Sequence, residues 1–244
     1  MERPAGQVNK EVGQQTEPFA PVVDFSPFYR FCQGLFFWVY APLVIIYNLV
    51  VFGLRIEGRA NLKNAPQKGC ILISNHSLYL DPAVIINTLF PRRAYYFALK
   101  SHFRHPVGGF MMRLMGGIPI PDIREMRRAE RTTGEVLDRG YCVHFFPEGV
   151  MEHMSQDVAP FQSGAFFMAL RLNAPVVPLT LVHRPRRLFG KPISKHFIRV
   201  KCVVGDAVQP QRLEGETIRQ AAERLAAEAH KTMAETLSAG QQTL

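Results

Sequence analysis

Apolar and polar positions divide this chain into a polar start, one long apolar stretch, and a regular alternation of short apolar runs with helical patterns. Residues 1 to about 25 are rich in Gln, Glu, Pro and Gly. They lack the apolar content needed to offset chain entropy and read as a disordered tail. Glu2 and Pro4, with no apolar run close behind, speak against a cleaved signal peptide. Between Arg30 and Arg55 there is no charge at all. A span needs about 20 apolar residues, so this stretch, taken as residues 26–54, is long enough to anchor the chain to a bilayer. Pro42 and Asn48 interrupt it, and Trp38, Tyr40 and Tyr47 suit a membrane interface. Two arrangements fit: one crossing helix, or two short helices broken near Pro42 that dip into one leaflet.

From residue 55 to 244 the pattern alternates. Apolar or β-rich runs at Leu54–Glu57, Cys70–Ser74, Ala94–Leu99, Ile118–Ile120, Cys142–Phe146, Val176–Val182 and Phe197–Val204 predict strands. Helical patterns lie among them at Pro82–Phe90, Pro106–Met115, Arg124–Arg139 and Ser163–Leu172, and Ala-rich Glu216–Leu237 closes the chain. Strands alternating with helices predict an α/β domain: a mixed, mostly parallel sheet flanked by helices.

Composition adds a constraint. The 244 residues carry a formal net charge of +9 and are 47% hydrophobic, enough for a sizeable core. Such a basic chain fits an anionic partner: a membrane surface, a phosphorylated ligand, an acidic protein or nucleic acid. The cysteines Cys32, Cys70, Cys142 and Cys202 form no C-x-x-C pair, which fits small core hydrophobes in a reducing compartment. No histidine spacing suits a metal, so none is expected.

The chemistry concentrates at Asn75-His76-Ser77-Leu78-Tyr79-Leu80-Asp81-Pro82, directly after the run Cys70–Ile73. Asp81-Pro82 reads as N-cap and N1 of a helix, which leaves His76 in the strand-to-helix turn. A histidine so placed, with a carboxylate in reach, is a candidate general base with its orienting partner. The plainer alternatives are a loop histidine bonded to backbone and an ordinary helix cap. A second landmark, Phe145-Phe146-Pro147-Glu148-Gly149, ends another strand run as a turn. Ligands of α/β sheets sit beyond the carboxyl ends of strands, so His76 and Glu148 should share that edge. A third, Pro160-Phe161-Gln162-Ser163-Gly164, leads through a helix to Pro175-Val176-Val177-Pro178.

In this order the blocks resemble the glycerolipid acyltransferases of the 1-acylglycerol-3-phosphate (lysophosphatidate) acyltransferase type, over roughly Leu54 to Val204. Asn75 to Asp81 matches that family's N-H-x-x-x-x-D block completely, and Lys100 and Gly117 fall in stretches that look like the family's next block. The resemblance implies O-acyl transfer from acyl-coenzyme A or acyl carrier protein to the hydroxyl of a lyso-glycerolipid in phospholipid biosynthesis. His76 and Asp81 would be catalytic. Asn75, Lys100, Gly117, Glu148 and Gly149 would bind substrate. No cofactor beyond the acyl donor is implied, and the expected place is the cytoplasmic face of a membrane. Two departures stand out. Asp122 occupies a position where the family usually has Arg, and Val150-Met151 replaces Thr-Arg after Phe146-Pro147-Glu148-Gly149. Those arginines are associated with the acceptor's phosphate, and an Arg–phosphate bond is worth about 1.5–3 kcal/mol. Arg124, Arg127 and Arg128 are candidate substitutes, or simply a solvated helix face. The basic group Arg184, Arg186, Arg187, Lys191 and Lys195 would attract an anionic donor or headgroup. The departures leave open an acceptor without a phosphate monoester. A basic nucleic-acid- or membrane-binding protein without catalysis explains the charge but not the ordered blocks, so nucleic acid is not an expected partner.

Overall fold

The computed structural model describes residues 23–62, 69–188, 191–193 and 198–243. Most of the expected tail, residues 1–22, lies outside these, as does Lys195. The chain runs α1 (Pro27–Val51), β1 (Arg55–Glu57), β2 (Ile71–Ser74), α2 (Asp81–Leu89), β3 (Ala94–Ala98), α3 (Pro106–Leu114), β4 (Gly117–Pro119), α4 (Met126–Asp138) and β5 (Cys142–Phe145). It continues α5 (Gly164–Leu172), β6 (Val176–Pro185), the small hairpin β7 (Arg187–Leu188) and β8 (Lys191–Pro192), β9 (Ile198–Val204) and α6 (Ile218–Thr243).

Seven strands form one sheet in the order β1-β9-β6-β2-β5-β3-β4. Strands β6, β2, β5, β3 and β4 are mutually parallel, and β9 with β1 runs opposite. The expected mixed, mostly parallel sheet is thus what forms. Its central strand β2 is buried throughout, because helices cover both faces and alternate side chains need opposite cores. Leu72 joins Val84, Ile85 and Leu179 in the cluster beneath α2. Ile71 and Ile73 join Val136, Phe166 and Met233 in the cluster beneath α4, α5 and α6. Since β2 to β5 all point one way, the segments after them emerge along one edge.

Of the two arrangements expected, helix α1 takes the single helix: it is continuous through Pro42 and not broken there. A proline inside a helix removes one N–H bond, and the packing of α1 holds the rest in line. Its buried residues Gln33, Phe37, Ala41 and Asn48 form one stripe facing α2 and α3. The Gln33 amide donates to Arg113 O (2.9 Å) and accepts from the Tyr95 hydroxyl (3.3 Å). The Asn48 amide donates to Ala83 O (2.9 Å) and to Asn87 Oδ1 (2.8 Å). Asn48 therefore docks the helix where the sequence suggested an interruption. Arg186 closes the helix C-terminus, donating to Val50 O (3.0 Å) and Val51 O (2.8 Å), where a cation also complements the helix dipole. The opposite side of α1, with Phe31, Leu35, Trp38, Leu43 and Val50, is exposed. Residues 23–25, expected to belong to the tail, are docked: Val23 and Phe25 pack on the second core cluster, and the Arg139 guanidinium lies 4.0 Å from the Phe25 ring centre.

Candidate active site

Strand β2 stops at Ser74, and the next residue continues its ladder with a side chain. The Asn75 amide donates to Leu181 O (2.9 Å) and accepts from Leu181 N (2.8 Å), both in β6. Asn75 is 2% exposed and its amide is engaged by the sheet. It holds the turn in place through these two bonds, beside the substrate-binding role expected of it.

His76 leaves the sheet at this point. Its Nδ1 lies 3.0 Å from Asp81 Oδ2, and the same oxygen accepts from Ser77 N (2.8 Å) and Leu78 N (2.8 Å). Asp81 is fully buried. It is the first residue of α2, and Leu80 takes the N-cap position with no side-chain cap bond. The expected capping role is therefore corrected: Asp81 clamps the turn and the imidazole, and its Oδ1 is buried without a hydrogen-bond partner among the described residues. An ionised carboxylate only accepts, so Nδ1 carries the proton and the Nε2 lone pair is left for a substrate. The imidazole lies flat on Phe146, centroids 3.9 Å apart and planes 19° apart, and its side chain is 21% exposed.

Phe146 comes from the end of β5, next to β2 in the sheet, which is why two segments 70 residues apart meet here. His144 also meets the Phe146 ring, edge-on at 4.5 Å. His144 is fully buried, its Nε2 lies 2.9 Å from Ser74 Oγ, and burial followed by the charge of His76 lowers its pKa to about 3. It is a neutral spacer beneath the ring stack. The turn after Phe146 needs a left-handed residue, and Gly149 supplies it with φ +72°. A Cβ there would also stand 2.7 Å from Gln162 Nε2. Gln162 N in turn donates to Pro147 O (2.8 Å), which joins the second and third landmarks.

This turn brings Glu148 under the His76 turn: His76 N donates to Glu148 Oε2 (3.3 Å), while Oε1 is buried with no partner among the described residues. Burial raises the Glu148 carboxyl to about 7, against backbone bonds from His76 and Ala159 that favour its charged form. His76, Asp81 and Glu148 thus converge, and Gly149 shapes the turn.

Lys100 and Gly117 behave differently. Gly117 pairs with Tyr96 in β4, and the Met112 carbonyl lies 2.8 Å from where its Cβ would be. Its lack of a side chain lets the end of α3 approach the strand, a packing reason for glycine beside the substrate contact expected of it. Lys100 Nζ lies 2.5 Å from Asp122 Oδ2 and 2.8 Å from Glu125 Oε2. Burial opposes its charge, but the two carboxylates outweigh that and raise its pKa. The lysine expected to bind substrate is therefore already held by two anions. This group stands on the same sheet edge as His76, about 10–14 Å away across two to three strand spacings. Arg124, Arg127 and Arg128 are exposed, as a solvated face would be. The expected basic group is reduced too, because Arg186 caps α1 and only the backbone of Arg187 and Lys191 is described.

Sequence reasoning missed His183 of β6. It is 2% exposed, with Nδ1 3.4 Å from Ser77 Oγ and Nε2 2.9 Å from Gln156 Nε2. It lies 107 positions beyond His76 in an unbroken strand run, and no local signal marked it.

The 1-acyl-sn-glycerol-3-phosphate acyltransferase BAT2, chloroplastic, of Brassica napus is 35% identical over 130 residues, covering 52% of this chain and 36% of that protein. The 1-acyl-sn-glycerol-3-phosphate acyltransferase of Pseudomonas aeruginosa is 25% identical over 221 residues, covering 88% and 82%. The chain spans 36% to 56% of the length of its plant and algal relatives. The crystal structure of the 1-acyl-sn-glycerophosphate acyltransferase PlsC from Thermotoga maritima shares the fold, with a TM-score of 0.59 at 18% identity over 89% of this chain and 90% of that one. The family model described as Acyltransferase matches residues 54–182. Because that match takes in more than half of the 244 residues, the chain is a member of the acyltransferase family.

Proposed function

We propose that this acyltransferase moves an acyl chain from an acyl thioester, carried by coenzyme A or acyl carrier protein, to the hydroxyl of a lyso-glycerolipid, with 1-acylglycerol-3-phosphate as the leading acceptor. The observation that carries the reading is the His76–Asp81 pair, 3.0 Å apart, at the carboxyl end of the central strand. His76 Nε2 takes the hydroxyl proton as the oxygen attacks the thioester carbonyl. Asp81 stabilises the imidazolium that forms. The tetrahedral intermediate collapses, the C–S bond breaks, and the departing thiolate takes the proton back, giving ester and free thiol. Such general base catalysis contributes about 10²–10⁴ in rate. No covalent enzyme intermediate and no cofactor enters this sequence.

Membrane association belongs to the same reading. Helix α1 is long and apolar enough to cross a bilayer. It is also bonded to the domain near both ends, through Gln33 and Asn48. About 38 Å of helix packed lengthwise on a polar domain favours lying in the interface, with Trp38 and its exposed apolar neighbours in one leaflet.

A second acceptor reading is favoured by the Lys100–Asp122–Glu125 group. With one cation held by two carboxylates, this rim offers a phosphate dianion no net attraction, and Asp122 is repulsive to it. That suits a lyso-lipid without a phosphate monoester. The test is kcat/KM of the membrane-reconstituted chain on lysophosphatidate and on a phosphate-free lyso-lipid. A ratio above about ten, or 1.4 kcal/mol, supports lysophosphatidate, and one below unity assigns the second acceptor. In the latter case Asp122→Arg with Met151→Arg should restore use of lysophosphatidate. No acyl transfer to any lyso-lipid would overturn both readings.

A further inference from the structure

The segment between the Glu148 turn and α5 crosses the catalytic turn as a strap. Met154, in the left-handed region at φ +61°, donates its N–H to Ser77 O (2.9 Å). Two residues on, Gln156 meets the far end of α6: Gln241 Nε2 donates to Gln156 O (2.8 Å) and to Gln156 Oε1 (3.2 Å). That second bond fixes the Gln156 amide with its NH₂ group toward His183. Facing a donor at 2.9 Å, His183 Nε2 must be the acceptor, so the imidazole is neutral and its proton sits on Nδ1. Nδ1 points at Ser77 Oγ, 3.4 Å away, and Ser77 N is one of the three donors to Asp81 Oδ2. Burial lowers the His183 pKa, in keeping with that neutral form, and the charge of His153 adds to the shift, while the charge of Asp81 and a backbone bond to Met154 oppose it.

We infer that His183 is a positioning residue for acyl transfer, fixed as the Nδ1–H tautomer, joining the strap and the end of α6 to the turn that aims Asp81 at His76. A protonated His183 would set Nε2–H against the Gln156 NH₂ group and put a second positive charge near Asp81, competing with the imidazolium of His76. The neutral ring supplies a donor to Ser77 and leaves the field of Asp81 to His76. This inference rests on the proposed reaction, but the tautomer is observable without turnover.

Asn and Gln substitutions separate the two ends of the ring. Asn places its amide nitrogen near Nδ1 and keeps the Ser77 bond. Gln reaches the Nε2 position and keeps only the Gln156 contact. In the full chain, His183→Ala should lower kcat by about ten- to a hundredfold, the range for a reacting group displaced by up to 1 Å, with KM for the acyl donor unchanged. His183→Asn should recover most of that loss and His183→Gln little of it. Equal rates for the Asn and Ala variants, or a loss confined to KM, would overturn the inference. Nitrogen NMR on histidine-labelled full-length protein in detergent, with the His183 signal identified by its loss in His183→Asn, should show the proton on Nδ1. A proton on Nε2 would overturn it even if no acceptor lipid were turned over, whereas an inactive chain with the Nδ1–H tautomer would count against the proposed reaction alone.

Discussion

Replacing Asp81 with Asn tests the proposed chemistry because the structure separates the charge of this group from its geometry. Asp81 Oδ2 receives Ser77 N, Leu78 N and His76 Nδ1, whereas Oδ1 receives nothing among the described residues. In Asp81→Asn, an NH₂ turned toward two backbone N–H donors would be repelled, so the amide oxygen keeps the Oδ2 place. The NH₂ then falls at the partnerless Oδ1 position. His76 Nδ1–H still meets an oxygen, so its tautomer survives and only the charge is lost. At 3.0 Å and an effective dielectric constant of 20, a full ion pair is worth about 5.5 kcal/mol. With about half of the imidazolium charge developed in the transition state, the loss is about 2.7 kcal/mol, or about a hundredfold in kcat. That is well short of the roughly 10⁴-fold lost where such a change also imposes the wrong tautomer. Folding stability should hold within about 1 kcal/mol, since the variant trades a buried charge for a neutral group of the same shape. Steady-state turnover with a saturating thioester donor and a thermal melt on one preparation supply both numbers. A loss near 10⁴-fold would refute the argument that the backbone donors orient the amide, and a loss under about threefold would refute imidazolium formation next to Asp81.

The other predictions rest on separate features. His76→Ala should abolish transfer with an unchanged circular dichroism spectrum, and near-normal turnover would remove the general base from the mechanism. Glu148 has its carboxyl raised from 4.5 to about 7 by burial. A raised pKa contributes stability that is complete below the unfolded value and is lost as pH rises through the folded one, so stability should fall between about pH 4.5 and 7. Glu148→Gln should flatten that fall, and superimposable melting temperature–pH curves for the two proteins would refute it. Asn48→Ala removes a donor from Ala83 O and from the buried Asn87 Oδ1 and should cost about 1–3 kcal/mol, read as faster proteolysis of α1 and a lower melting temperature. Removing the helix-end donor in Arg186→Ala should cost less, about 1 kcal/mol, and should raise hydrogen exchange in the last turn of α1 ahead of the rest.

Strands β2, β5 and β6 were readable because central parallel strands are apolar on both faces, and short uninterrupted runs such as Cys70–Ile73 have few other homes. The candidate turn was readable because His76 and Asp81 are five residues apart and meet by local geometry. What escaped was decided at long range. Asn48 resembles a break in an apolar run until its partners Ala83 and Asn87 come into view. Lys100 resembles a free substrate-binding cation until Asp122 and Glu125 close on it from the next loop. Asn75 carries a motif's chemistry by name, yet β6 takes both of its amide atoms. The hairpin of β7 and β8 is too short to leave a period in the sequence.

The docking stripe of α1 also has a consequence for biosynthesis. The partners of Gln33 and Asn48 are Arg113, Tyr95, Ala83 and Asn87, all of which leave the ribosome after the helix is complete. At about 5–20 residues per second, the roughly 60 residues between Val51 and Arg113 take about 3–12 s to be made. Through that interval the two amides have nothing of the domain to bond, and Phe31, Trp38 and Leu43 have no cover. A bilayer interface serves both needs, since headgroup water satisfies the amides and the acyl boundary takes the rings and aliphatic chains. On the proposed membrane reading, the nascent chain meets the lipid before its sheet exists, and the acyltransferase domain condenses on a helix already seated, with its orientation toward the membrane set while it folds.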